Sequence, residues 1–507
     1  MTQLEVSGRL LARNTLLNLI GQAAPLLVGV VTLPFIVRGL GAERYGLLSL
    51  SWVVLAYFTI FDLGLGRAAT KFVAEALARG DHDRVPRLVW TAVTVQTVCG
   101  GLGALLLVVI APSLVEHVLN IPQALAEEAK ATFYVLAIAI PVVLVSSSFI
   151  GVLAATQRFD LVNAVGASFN IVNSLLTLVA VLSWNWHPSH IVVILVASRF
   201  LATVVYYWLC LRVLPSLKGL PRCHRQELRA LIGFGGWVTV SSIVGPILVY
   251  LDRFMIGSLL TMTAVAYYAA PYDIVTRLWV IPTSLVATLF PAFSVLTGQR
   301  QWERLADLFS RSTQWVLLTL GAVVVVLIIF AHDILQVWLG SAFANESTYV
   351  LQILAVGVLV NSLAHVPHSL LQAQGRPDVT AKLHLAELPL HGFLVWWLIG
   401  LWGTTGAALA WTIRVAVDAL LLSVAAWHLT SLPLQAFVSA KVTQTALCLC
   451  LFAAVLLAIG SLPLAIWLRL LGSGLVALPI GVLVWHYVID GKDRHHIIRL
   501  LRLASVR

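Results

Sequence analysis

The 507 residues carry a net charge of +10, yet only 11 % are charged and 60 % are hydrophobic. A soluble domain carries roughly 25 % charged and about 45–50 % apolar residues, so a water-soluble globular protein is excluded, and an enzyme working in water with it. The five cysteines show neither C-x-x-C nor Cys/His ligand spacing, so no disulfide framework, metal site or cofactor is expected.

Apolar runs of about 20 residues, the length a helix needs to cross roughly 30 Å of hydrocarbon, recur along the whole chain. They predict an all-α integral membrane protein of about fourteen spans. The spans begin near Thr15, Tyr45, Leu88, Thr132, Leu161, Ile191, Ala230, Thr263, Thr313, Tyr349, Ala381, Gly403, Val442 and Pro463. The first run is longer than a secretory apolar segment and has Glu5 among Arg9 and Arg13 in its flank, so it is expected to be a retained span. Trp184, Trp186, Trp402 and Trp485 lie near span ends and read as interfacial anchors.

With the N-terminus in the cytoplasm, that side collects roughly 24 basic residues and the other about 3, as the positive-inside rule requires. Both termini are therefore expected in the cytoplasm. The heaviest basic joints are residues 67–87 and 212–229 and the tail from Lys492. Orientation and attraction to anionic headgroups of the bilayer account for the positive charge, and no nucleic-acid partner is implied. The joints are short, which leaves no sizeable soluble domain.

The chain repeats itself. A-A-T-Q-R-F-D around Thr156 parallels Q-A-Q-G-R-P-D around Gln374, so Arg158 and Asp160 align with Arg376 and Asp378 at an offset of roughly 218. Tyr134-Val135-Leu136 aligns with Tyr349-Val350-Leu351, Arg199 with Arg414, and Pro25 with Pro246, in nearly the same register. The expected layout is a six-helix lobe over residues 1–214 and a second over 215–430, followed by two spans over 431–489 and a basic tail over 490–507. A repeat of six spans enters the membrane the same way twice, so the two pseudo-symmetric lobes are related by an axis along the membrane normal. This is the arrangement of alternating-access transporters, whose substrate sits near mid-membrane where the repeats meet.

Several residues stand out against this background. Pro25 in span one and Pro246 in span seven remove a helix donor, so they are either ordinary kinks or paired hinges. Charges inside spans cost about 2.5–3.5 kcal/mol each on insertion scales, so their presence needs a reason. Asp273 and Arg277 lie four residues apart in span eight, and Arg414 has Asp418 one turn beyond it. Each pair either neutralises itself and fixes helix packing or binds substrate. Arg199 has no acid within a turn on its own helix, so an anionic partner is required elsewhere, and the planar guanidinium suits phosphate or pyrophosphate. Asp62 with Arg67, and Asp252 with Arg253, close spans two and seven and read as snorkelling charges, loop caps or gate residues. His365, His368, His384 and His391, with Glu387, either relay protons or bond helix carbonyls.

Residues 14–84 resemble the start of the polysaccharide-biosynthesis flippases, which share a superfamily with the lipid II flippases and the multidrug and toxic compound extrusion exporters. The likeness rests on R-G-L-G-A-E-R-Y-G-L-L-S-L at 38–50, F-D-L-G-L-G-R-A at 61–68 and R-G-D at 79–81. In the second half, L-D-R-F-M-I-G at 251–257 and A-Y-Y-A-A-P-Y at 266–272 are similar to the family's pattern. The resemblance implies a transporter of twelve to fourteen helices in the bacterial cytoplasmic membrane, with a cavity lined by spans one, two, seven and eight. It also implies a polyprenyl-pyrophosphate-linked oligosaccharide as substrate, other polysaccharide assembly proteins as partners, and a cavity position for Asp273 and Arg277. A cation-coupled drug or metabolite exporter is the nearest alternative, but the acid that such members need is missing between Thr15 and Val37. A membrane glycosyltransferase or polymerase would need a sizeable loop for its acids and bases.

Overall fold

The computed structural model describes residues 8–62, 64–184, 188–219, 223–430, 432–437, 439–462, 468–469 and 475. Among them every regular element is helical. Hydrocarbon offers no hydrogen-bond partners, so a spanning chain without a closed barrel must satisfy its backbone within each segment.

The first half comprises α1 Gly8–Leu40, α2 Ala42–Phe58, α3 Leu65–Ala78, α4 Arg84–Ser113, α5 Gln123–Ala155, α6 Phe159–Trp184 and α7 Pro188–Val213. The second comprises α8 Arg225–Leu259, α9 Met262–Thr276, α10 Val280–Gly298, α11 Trp302–Ile329, the short α12 Ala331–Leu339, α13 Ser341–Ala373 and α14 Pro377–Leu429. The short α15 Leu434–Phe437 and α16 Ala440–Gly460 follow. Eight helices among the described residues are long and apolar enough to cross a membrane. One of these is α14, whose 53 residues form two arms that meet at Trp402 and Gly403, where the backbone leaves helical geometry. That break falls where the sequence places the start of span twelve. The predicted span from Pro463, the basic tail, Trp186 and Trp485 lie outside the described residues, as does the side chain of Trp184.

The repeat is visible in the joints. At the α5–α6 joint the amides of Thr156, Gln157 and Arg158 donate to the carbonyls of Val152, Ala154 and Leu153. At the α13–α14 joint Gln374, Gly375 and Arg376 donate to Leu370, Gln372 and Leu371 in the same pattern. Gln157 (φ 59°) and Gly375 (φ 74°) both take the left-handed conformation. Arg158 then pairs with Asp160 at 2.9 Å, and Arg376 with Asp378 at 3.1 Å. The second span of each half also breaks in its middle, with a 3-10 turn at Thr59–Asp62 between α2 and α3 and another at Arg277–Trp279 between α9 and α10. Gly64 supplies the left-handed residue (φ 68°) that starts α3 after the first break.

The chain divides into two units, Met1–Ile274 with His384–Ala410, and Val275–Leu383 with Trp411–Arg507. The first unit's core runs through α3, α4, α5 and α7 and contains Leu65, Val73, Leu88, Phe149 and Tyr206. The second is centred on Phe293, Phe309, Leu370 and Leu422, and Phe330, Phe452 and Leu456 form a smaller cluster of their own at α16. Lipid is as apolar as these side chains, so close packing rather than water expulsion holds the helices together, and small residues permit it. Gly46 is the tightest case: an added Cβ would overlap the backbone carbonyl of Met262, so α2 lies directly against the start of α9.

Candidate functional site

The charged residues of the α8–α9 hairpin form a connected group inside the first unit. Arg253 donates from Nη2 to Asp273 Oδ1 at 2.6 Å, and its guanidinium lies 4.6 Å from the Tyr272 ring centroid. The Arg253 side chain is 6 % exposed and that of Asp273 34 % exposed, so the pair has a dry side and a wetter side. Next to it the Tyr268 hydroxyl donates to Asp252 Oδ2, and both residues are fully buried. Asp273 therefore takes its partner twenty residues back along the chain, across the hairpin. Arg277, expected as its helical neighbour, falls in the 3-10 turn that follows α9 and is half-buried. Asp252 and Arg253 are thus core residues of the hairpin.

Asp62 closes the first 3-10 turn. Its Oδ1 accepts from Gln96 Nε2 at 2.7 Å and from Ser147 Oγ at 2.9 Å, while Oδ2 accepts from the Gly66 amide at 3.4 Å. Ser148 Oγ donates to Gln96 Oε1 at 2.7 Å, and Gln96 is fully buried. A carboxylate at a helix start is favoured by the exposed amides and the dipole, and Asp62 uses that position to join α3, α4 and α5. Gln96, Ser147 and Ser148 carry no signal in the sequence beyond being polar within apolar runs. The side chain of Arg67 lies outside the described residues.

The duplicated arginines sit in unlike settings. On α7 the exposed apolar residues Val193, Phe200, Leu201, Val204 and Trp208 mark the lipid-facing stripe. Arg199 lies on the other face, in line with buried Val192, Leu195, Ala202 and Tyr206, yet is itself exposed. Arg199 is thus the exposed residue of an otherwise buried row on α7. On α14, Arg414 is half-buried, and Asp418, one turn on, is only 4 % exposed. Electrostatically, the second copy has a carboxylate at this level that the first copy lacks.

The histidines do not form one cluster within a unit. His365, whose Nδ1 is 2.8 Å from the Asn361 carbonyl oxygen, and His368 belong to the second unit. His384, Glu387 and His391 belong to the first, with Glu387 and His391 buried one turn apart on α14. Pro25 and Pro34 lie inside α1, which continues through both. The ring of Pro246 lies outside the described side chains. No group of three or more metal-ligating side chains occurs among the described residues.

A further polar tie was not foreseen. Arg84 holds Glu227 in a two-pronged bond, Nε at 3.0 Å from Oε1 and Nη2 at 3.0 Å from Oε2. It fastens the start of α8 to the start of α4. Close to it, Trp90 Nε1 donates to the Leu217 carbonyl and the His224 amide donates to Thr91 Oγ1.

Residues 11–297, more than half of the chain, match the family described as "Polysaccharide biosynthesis protein". The chain belongs to that family. Residues 238–397 also match the MatE family. A Shigella flexneri protein named "Putative O-antigen transporter" is 29 % identical over 412 residues, covering 81 % of this chain and 96 % of that one. The "Probable low-salt glycan biosynthesis flippase Agl15" of Haloferax volcanii is 28 % identical over 197 residues, 39 % of this chain and 41 % of that protein. Among solved structures, the lipid II flippase MurJ in an inward closed conformation aligns with a TM-score of 0.68 at 12 % identity, covering 94 % of this chain and 100 % of that one. An inward-facing multidrug resistance MATE transporter aligns at 0.67 with 15 % identity, over 82 % and 94 % of the two chains. These likenesses establish the all-α membrane fold of two six-helix lobes.

Proposed function

We propose that this protein flips a polyprenyl-(pyro)phosphate-linked oligosaccharide, or a related glycolipid, from the cytoplasmic to the outer face of the membrane by alternating access. The observation that carries the reading is the match to a protein named as an O-antigen transporter along 96 % of that protein's length. The lobes are taken as residues 1–214 and 215–430, with two further spans to residue 489 and a basic tail beyond. The candidate cavity residues are Arg199, Asp273, Arg277, Arg414 and Asp418. Pro25 and Pro246 are the candidate hinges, and Asp62, Arg67, Asp252 and Arg253 the candidate gate or lobe-end charges.

The protein works as a transporter and not as an enzyme, in the bacterial cytoplasmic membrane with both termini in the cytoplasm, alongside other proteins of polysaccharide assembly. The basic joints support that orientation. The MatE match favours a second reading, export of a drug or metabolite coupled to a cation. The lack of an acidic residue between Thr15 and Val37 speaks for the anionic cargo instead.

The test is transbilayer movement in vesicles containing the purified full chain and a polyprenyl-pyrophosphate glycan labelled on its sugar. A membrane-impermeant glycosidase should reach the label on both leaflets when the protein is present, and only about half of it in protein-free vesicles. Equal accessibility in the two preparations would remove the flippase reading.

A further inference from the structure

The stretch from Arg212 to Arg229 holds five arginines and lysines and a single carboxylate, Glu227. That carboxylate is turned inward: Glu227 is 7 % exposed and is held by two nitrogens of Arg84. Leu231, four residues on, is fully buried in the core of the first unit. Glu227 and Leu231 therefore mark the inner face of the start of α8. Arg225 and Arg229, also four residues apart, are exposed and stand on the opposite face, about 6 Å from each other along the axis. Like charges at this spacing on a helix repel, and among the described residues neither arginine makes an ion pair.

The end of α7 comes to the same place. Its lipid-facing stripe finishes at Trp208, and the guanidinium of exposed Arg212 lies 3.6 Å from the centroid of that ring. Tyr207, next to Trp208, meets the Trp90 ring edge-on at 6.0 Å. Trp90 bonds the carbonyl of Leu217, which precedes Lys218, and neighbouring Thr91 bonds the amide of His224, which precedes Arg225. Adjacent residues of α4 thus bring the backbone at Lys218 and at Arg225 together, beside the turn of α7 that carries Arg212. Lys218 is exposed and, like Arg212, makes no ion pair among the described residues.

Other joints on the same side of the membrane neutralise their arginines in place. At the α5–α6 joint Arg158 has Asp160, and at the α13–α14 joint Arg376 has Asp378. Between α7 and α8 the one acid is spent on Arg84, so the balancing anion comes from outside the chain. An arginine stacked on the last aromatic ring of a lipid-facing stripe sits at headgroup level, where tryptophan is at home and lipid phosphate is the nearest anion.

From this placement we infer that Arg212, Lys218, Arg225 and Arg229 form a docking surface for the headgroups of anionic phospholipids in the leaflet that borders the α7–α8 joint. The inference is independent of the flippase reading, because the ligand is a lipid of the bilayer and not the cargo. The start of α8 then has a partner on each face, Arg84 and the first unit's core within and phosphate outside. The arginines meet phosphate through their planar forks, and Lys218 adds a point charge.

The test is a titration of the purified full chain in neutral detergent with dioleoyl phosphatidylglycerol, and separately with dioleoyl phosphatidylcholine, followed by thermal melts. Phosphatidylglycerol should raise the melt of wild type, and phosphatidylcholine should not. Each base removed from an anionic surface weakens attraction about fivefold. The lipid concentration at mid-response should therefore rise about tenfold or more in R225Q/R229Q and about fivefold in R212Q. R225K/R229K, which keeps both charges, should titrate close to wild type, separating lost binding from lost folding. R300Q/R304Q, which removes two exposed arginines at the same spacing from the α10–α11 joint, should titrate as wild type. Equal titration of R225Q/R229Q and wild type overturns the docking surface, as does a wild type that does not respond to phosphatidylglycerol. An equal loss in R300Q/R304Q overturns it too, because net charge and not place would then set the response. Inorganic phosphate raising the melt at the same concentrations as the lipid would overturn the lipid as ligand in favour of a free anion.

Discussion

Arg253 binds Asp273 across the α8–α9 hairpin at 2.6 Å while lying over the ring of Tyr272, the residue that precedes its partner. The contact converts two charges that the lipid would reject into one neutral, partly stacked unit, and it fixes the angle at which α9 returns from α8. A buried ion pair is no stronger than a good apolar contact, but breaking one side leaves a stranded charge.

Removing that partner should therefore be more damaging than removing the pair. Asp273→Ala is expected to destabilise the protein by about 3 kcal/mol, because it strands the nearly fully buried Arg253. Arg253→Leu should be milder, since Asp273 is partly open to solvent. Exchanging the two, R253D with D273R, should recover much of the loss, whereas exchanging Asp273 with Arg277 should not. Fluorescence-detected thermal melts of the detergent-solubilised variants decide this, and recovery by the 273/277 exchange would transfer the structural role to Arg277.

The tie between Arg84 and Glu227 holds the start of α8 against α4, beside the bonds that Leu217 and His224 make to Trp90 and Thr91. Glu227→Ala removes two charge-assisted bonds from a buried carboxylate position, a change of roughly 2–3 kcal/mol locally. The joint should then open, and trypsin should cut at Lys218 and Arg225 faster than in wild type, with the rest of the chain resistant. Unchanged cleavage would show that Trp90 and Thr91 suffice to hold it.

Gly46 sits where α2 meets the start of α9 with no room for a side chain. Gly46→Ala should cost about 2–3 kcal/mol through overpacking against a backbone carbonyl that cannot swing aside. The expected result is a marked fall in folded yield by size-exclusion chromatography. Gly101→Ala on α4, which meets nothing within 4 Å, should express as wild type.

Much of the fold was legible because it follows from composition and spacing alone. Runs of apolar residues mark the spans, and the break of α14 at Gly403 falls at the expected boundary. The R-x-D turns at Arg158 and Arg376 exposed the duplication because the same side-chain pair closes both joints. The partners of charged residues were harder to read. Four-residue spacing singled out Asp273 with Arg277, but a helix that breaks into a 3-10 turn at Arg277 no longer stacks the two, and the hairpin brings Arg253 to Asp273 instead. The only sequence hint was an Asp-Arg pair ending one span and a Tyr-Asp pair inside the next. Asp62 read as an interfacial charge, yet its fixing partners Gln96 and Ser147 come from helices 34 and 85 residues away, a separation that no local pattern records. For Arg199 the missing acid on its own helix was the informative feature, and the helical face it occupies came only from the structure.

The central claim, transport of a lipid-linked glycan, is met most directly by following the leaflet that holds it. In cells depleted of this protein, labelled lipid-linked oligosaccharide should collect on the cytoplasmic leaflet. Re-expression of wild type should restore it to the outer leaflet. Arg277→Ala, expressed and folded to wild-type levels, should not, because the 3-10 turn of the broken eighth span would lose its positive charge. Glycolipid appearing outside at the wild-type rate with Arg277→Ala would remove that residue from the cavity, and the same distribution with and without the protein would contradict the transport claim itself.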